Sequence, residues 1–252
     1  MIVASLLSYY VVLGSVALIA AVVVGLRNAL ACAGWSASER NRAAATTGIV
    51  LVGWLGVTGG LAWLGAYHGA GNRIPTIQLG IFVPLLVGLL LYWRSPSLAR
   101  LLEAVPQQWL VGIQLYRVLG GVFVVLFAAG RLPGLFALPA GLGDLAVGLL
   151  APLIARSWVH HPRESASVVR SWNILGLADL AVALATGFAT SPSPFQIAAF
   201  ANPNDLITAF PLVLIPVFLV PLSILLHLAS LAKLRRSAAE AGCPMHANAA
   251  RA

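Results

Sequence analysis

The chain has 252 residues, 60% of them hydrophobic and only 9% charged, with 15 Lys and Arg against 7 Asp and Glu. Soluble domains hold about 25% charged residues, so the composition argues against one or two soluble domains. The basic excess does not indicate a nucleic-acid partner either, because its cations are spread over short connections instead of clustering in one patch.

Seven apolar runs approach or exceed the roughly 20 residues that cross a bilayer, near 5–26, 46–67, 75–93, 108–130, 132–155, 170–190 and 205–231. They predict an all-α polytopic bundle: one seven-helix transmembrane domain over 1–232, with a basic, Ala-rich and disordered tail over 233–252. The first run lacks the positive leader of a signal peptide and exceeds its usual apolar length, so it reads as a retained helix despite Ala29-Leu30-Ala31-Cys32. Between runs, 27–45, 94–107, 156–169 and 191–204 read as connections. Ser36-Ala37-Ser38-Glu39-Arg40 lies near a helix start. Segment 191–204 contains Ser191-Pro192-Ser193-Pro194 and an apolar centre from Phe195 to Phe200, suited to an interface or a cap on the bundle. Pro203-Asn204-Asp205 suits a helix start, an acid there complementing the helix dipole.

Charge orients the set. Arg27, Arg40, Arg42, Arg94, Arg100, Arg156, Arg163, Arg170, Lys233, Arg235, Arg236 and Arg251 fall on alternate connections and the tail, leaving Arg73 and Arg131 on the other side. Short basic loops stay cytoplasmic, which places the N-terminus outside and the C-terminus inside a cytoplasmic (inner) membrane. The implied partners are the lipid bilayer and its anionic headgroups at the cytoplasmic face; a homo-oligomer or a membrane partner stays open. Cys32 and Cys243 fall on the reducing side and predict no disulfide.

Arg117, Asp144 and Asp179 stand inside spans four, five and six, each roughly 13–15 Å from the basic end by helical rise. A charge at the bilayer centre costs at least roughly 2.5–3.5 kcal/mol on insertion scales and generally faces a partner or a cavity. The helix faces agree: Gln114, Arg117 and Gly121 on span four; Gly141, Asp144, Gly148 and Ala151 on span five; Trp172 or Asn173, Gly176, Asp179, Ala183 and Thr186 on span six. Gly141–Gly148 and Gly176–Ala183 also share a short pattern around their aspartates, 35 positions apart, as in inverted repeats of transporters. Two acids facing one guanidinium leave one charge to be met by a proton or a cation. A register-fixing ion cluster with no passenger is the equal alternative.

Secondary candidates are Asn202 and Asp205, and the prolines Pro211 and Pro216, which with Pro221 would kink span seven and free backbone carbonyls. Nothing predicts a metal or cofactor. His68 and His227 read as lying at opposite ends of their spans, too far apart to share a haem, and His160-His161 reads as a solvated loop pair. The only lysine, Lys233, lies beyond span seven and cannot hold retinal. There is no Gly-x-Ser-x-Gly elbow and no Walker loop. Trp35, Trp93, Trp109, Trp158 and Trp172 read as an interfacial belt.

Leu138-Pro139-Ala140-Gly141-Leu142-Gly143-Asp144, Trp172-Asn173-Ile174-Leu175-Gly176-Leu177-Ala178-Asp179 and the span-seven prolines ahead of His227-Leu228 resemble a group of uncharacterised bacterial multi-span inner-membrane proteins. That resemblance implies the fold and carries no activity. Three functions follow from the residues: a small-solute or ion/proton-coupled transporter, a non-catalytic scaffold or assembly protein, and a lipid-modifying enzyme, which lacks a nucleophile or metal set.

Overall fold

The computed structural model describes residues 2–68 and 76–241, and these are mostly helical with no strand among them. Among the described residues, seven helices are long and apolar enough to cross a membrane. Helices suit such runs because lipid offers the backbone no hydrogen bonds, so each peptide group must be satisfied within its own segment.

In chain order these are α1 (Ile2–Cys32), α2 (Ala37–Trp63) and α3 (Thr76–Arg94), then the short α4 (Pro96–Ala104). The longer α5 (Gln107–Ala128), α6 (Gly134–His160) and α7 (Pro162–Thr190) follow. The last, α8, opens with a π turn (Ile215–Leu219) and continues as Val220–Ala241. Spans four to seven are therefore α5 to α8.

Local chemistry sets the ends. Ser36 and Glu39 form a capping box: Glu39 N–H donates to Ser36 Oγ at 3.3 Å and Ser36 N–H to Glu39 Oε2 at 3.0 Å. This closes the first turn of α2 nine residues before the predicted apolar run, so most of the predicted 27–45 connection is helix. The predicted 156–169 connection shrinks to His161, because Pro162 restarts a helix at its first position, where a missing N–H costs nothing. Ser95 caps α4 through Leu98 N–H at 3.2 Å, inside the predicted 94–107 connection.

Span seven departs most. Residues 205–214 hold only a 3-10 turn (Leu206–Thr208), and Asp205 makes no side-chain cap. Pro211 and Pro216 each remove a donor that a helix through 205–214 would need. The helix therefore begins at Ile215, and by widening its first turn. Segment 191–204 has no regular element; it folds back on α7 through Ile197 and Ala198 N–H to Ala189 O and Asn204 N–H to Thr190 O.

α6 packs between α5 and α7, and α8 closes this group from the other side against α5, α7 and α3. α1 lies against α2 and α5. The core holds Phe218, Leu180, Leu212 and Leu214, with Phe123 edge-on to Phe136 at 5.1 Å and Trp54 to Phe218 at 4.9 Å. Leu86, Val125, Leu153 and Leu175 lie 64–66% exposed. Apolar surface of that kind, present on every long helix except the enclosed α8, fits an integral membrane protein.

Candidate functional site

α5 tightens to a 3-10 helix over Ile113–Gly121, and its buried residues are Gln114, Arg117 and Gly120. Three residues per turn put positions i, i+3 and i+6 on one face. The α-helical spacing expected from sequence placed Gly121 on this stripe. The tighter coil substitutes Gly120 and turns Gly121 onto Leu145.

Arg117 is 3% exposed and its side chain reaches three other helices. Nε donates to Asp144 Oδ1 of α6 at 2.8 Å, and Nη2 donates to Asp179 Oδ2 of α7. Nη1 donates to Gly176 O of α7 at 3.2 Å and meets His227 Nε2 of α8, also at 3.2 Å. The three residues expected at one depth thus stand in direct contact. Guanidinium, unlike an ammonium, offers separate N–H groups in a fixed plane, so one side chain can serve four partners.

Glycines make the approach close enough. A Cβ at Gly120 would strike the Asp144 carboxylate, one at Gly143 the Asp179 carboxylate, and one at Gly176 would lie 2.5 Å from the His227 ring. Asp144, Asp179 and His227 therefore each rest on a glycine of a neighbouring helix. The two repeat-like glycines differ in use: Gly176 supports the cluster, whereas a Cβ at Gly141 would meet Val124 at 2.6 Å.

Arginine only donates, so His227 Nε2 accepts and the ring proton sits on Nδ1. That nitrogen donates to Asn173 Oδ1 at 2.9 Å, and Asn173 Nδ2 donates to Val169 O at 2.8 Å and Ser230 Oγ at 2.9 Å. Gln107 Nε2 donates to the same hydroxyl at 2.6 Å. Trp172 lies over the His227 ring at 5.1 Å and donates to Val147 O at 3.3 Å. Of the expected interfacial tryptophans, Trp172 is therefore an interior residue, 4% exposed, because a buried carbonyl takes its N–H. With a neutral histidine, the cluster sets one guanidinium against two carboxyl groups.

Sequence reasoning missed His227. It was assigned to the end of its span, whereas it is fully buried at the ion pairs. The signal was a polar stripe on α8: Ser223, His227 and Ser230 at i, i+4 and i+7, all at most 1% exposed. Gln114 joins that stripe through Nε2 to Ser223 O at 3.1 Å and Ser223 Oγ to its own Oε1 at 2.8 Å. Tyr116 Oη donates to Leu219 O at 2.9 Å, where the π turn ends.

The other candidates scatter. Asn202 and Asp205 are exposed, and the Asp205 carbonyl accepts from Thr208 Oγ1 at 2.8 Å and from Thr208 N–H at 3.1 Å. Pro211 is buried in the segment before α8. Pro216 lines a cavity that also reaches Asp144. His160 and His161 end α6 and cap α7, with rings 6.4 Å apart. Arg73 and Cys243, with the rest of the tail from 242 on, lie outside the described residues.

The cavity, about 60 Å³, runs among α3, α6, α7 and the start of α8, from Asp144 to Thr76–Gln78 and Ser191–Pro194, at the end away from most of the basic residues. A second void of about 10 Å³, the size of one water, lies between Asp144, Arg117, Gly120 and Ser223. Among the described residues no group of three His, Cys, Asp or Glu is placed to hold a metal ion.

No curated protein and no solved structure matches the chain. Residues 74–235, which contain every residue of the cluster, match the family described as Domain of unknown function (DUF8737), and the chain belongs to that family.

Proposed function

We propose that the protein is a small-solute or ion/proton-coupled transporter of the cytoplasmic membrane, working at the Arg117–Asp144–Asp179 cluster. One observation carries the reading: one guanidinium serves two carboxylates, and Asp144 lines a cavity that extends toward one end of the bundle. The uncompensated charge suits a proton or cation, and intramembrane acids commonly serve such coupling. The basic residues gather at the opposite end, which favours a cytoplasmic C-terminus and an outward-facing cavity. Gln114 and Asn173 act as positioning groups for α8 and His227 in this scheme.

Purified protein in liposomes loaded with a pH-sensitive dye tests it. Asp144→Asn and Asp179→Asn should each reduce acid-driven proton entry while the proteins elute as folded species. Unaltered entry in both variants overturns the proposal.

The rival reading, a scaffold held in register by a structural ion cluster, is favoured by how fully Arg117 spends its N–H groups. It is distinguished by joint replacement of all three residues with apolar ones, which a strut tolerates and a carrier does not. At the basic end, Arg42 and Arg100 line a recess together with Glu39 and Glu103, beside an apolar groove of about 590 Å³ to which α1, α2, α3, α4, α5 and α8 contribute and which suits contact with lipid chains.

A further inference from the structure

The cavity beside the cluster has a chemistry of its own. Ile77, Ile81, Phe136, Leu180, Leu184 and Phe188 make most of its wall. At its inner limit stands Asp144, 8% exposed, whose Oδ1 is taken by Arg117 while Oδ2 has no hydrogen-bond partner among the described residues. Gln78, near the mouth, carries a buried amide oxygen that likewise has no partner.

The hydroxyls lining it add acceptors. Thr76 Oγ1 donates its hydrogen to Ala66 O at 2.5 Å, Ser191 Oγ to Asn204 O at 3.3 Å and Thr208 Oγ1 to Asp205 O at 2.8 Å. With those hydrogens spent, the three oxygens present lone pairs. An occupant therefore meets apolar walls, oxygen acceptors and a carboxylate whose single partner cation is already shared with a second carboxylate.

We infer that this cavity binds a small alkylammonium ion, its N–H groups toward Asp144 Oδ2 and its hydrocarbon along the aliphatic and aromatic wall. The inference deepens the carrier reading and rests on it for the direction of movement. Size sets the range: about 60 Å³, at roughly 10–15 Å³ per water-sized unit, holds about four to six non-hydrogen atoms. A primary amine with three to five carbons fits, and it is protonated at neutral pH as a lysine side chain is.

Calorimetry on the full chain in detergent at neutral pH, with n-propyl-, n-butyl- and n-pentylammonium and with n-butanol, tests the inference. Affinity should rise about fourfold per methylene, the equivalent of about 0.8 kcal/mol for each buried CH₂, and stop rising beyond five carbons. Asp144→Asn should abolish ammonium binding. Because that variant can misfold, Ala183→Phe, which fills the cavity from α7 and leaves the ion pairs intact, should abolish it too. Equal binding of butanol and butylammonium, or no saturable binding of any of the ammonium ions, overturns the inference. Proton entry into liposomes that persists without ammonium binding overturns the ligand class and leaves the carrier reading standing. Ammonium binding without proton entry does the reverse.

Discussion

His227 Nε2 and Arg117 Nη1 meet at 3.2 Å, a neutral imidazole accepting from a guanidinium that already holds two carboxylates. The ring is fixed from behind by Asn173 and from its face by Trp172. Substitution by Leu leaves an Arg117 N–H and the Asn173 carbonyl unpaired in the interior, each worth about 1–3 kcal/mol. His227→Leu should therefore melt well below the native protein in detergent. His227→Gln, whose amide both accepts and donates, should recover part of the loss.

Arg117→Met leaves two carboxylates facing each other without a cation. Removing one partner of a buried ion pair costs about 3–5 kcal/mol, whereas replacing the whole set with apolar residues can be neutral. Arg117→Met should destabilise severely, and Arg117→Met/Asp144→Leu/Asp179→Leu should regain most of the melting temperature. Arg117→Lys should not, because an ammonium cannot reproduce the planar spread from α6 to α8.

Gly120→Ala and Gly143→Ala put a methyl group into a carboxylate that cannot retreat without breaking its bond to Arg117. Overpacking of this kind costs about 1–3 kcal/mol. Gly53 and Gly59 on α2 have open space where a Cβ would stand. Their alanine variants should melt at or slightly above the native temperature, so one unfolding series separates crowding at the cluster from helix propensity.

Glu103 on α4 pairs with Arg236 on α8, and its carbonyl accepts from Lys233 Nζ at 2.6 Å. Both side chains of the Arg236 pair are about half exposed. Exposed pairs contribute about 0–1 kcal/mol and are screened by salt. Glu103→Gln should shift thermal unfolding only slightly at low ionic strength and not at all in high salt.

The seven spans and the meeting of Arg117, Asp144 and Asp179 were legible because hydropathy marks long runs and buried charge is rare in them. The ends were not. Polar turns such as Ser36–Arg42 continue a helix that hydropathy registers only at its apolar part. Asp205 looked like a helix start because Pro203-Asn204-Asp205 has the right local chemistry, but two prolines downstream deny that helix its donors. His227 escaped notice for a related reason. Its role depends on α8 facing Arg117 across the bundle, and the nearest sign in the chain was the serine spacing around it.

The 3-10 stretch of α5 also bears on length. Nine residues rising about 2.0 Å each, against about 1.5 Å in an α-helix, lengthen the 22-residue α5 from about 33 to about 37 Å. Its partners α6 and α7 have 27 and 29 residues, or about 40 and 43 Å. Stretching the shortest rod of the central trio narrows this gap without adding a residue, and the added reach falls where the arginine stands.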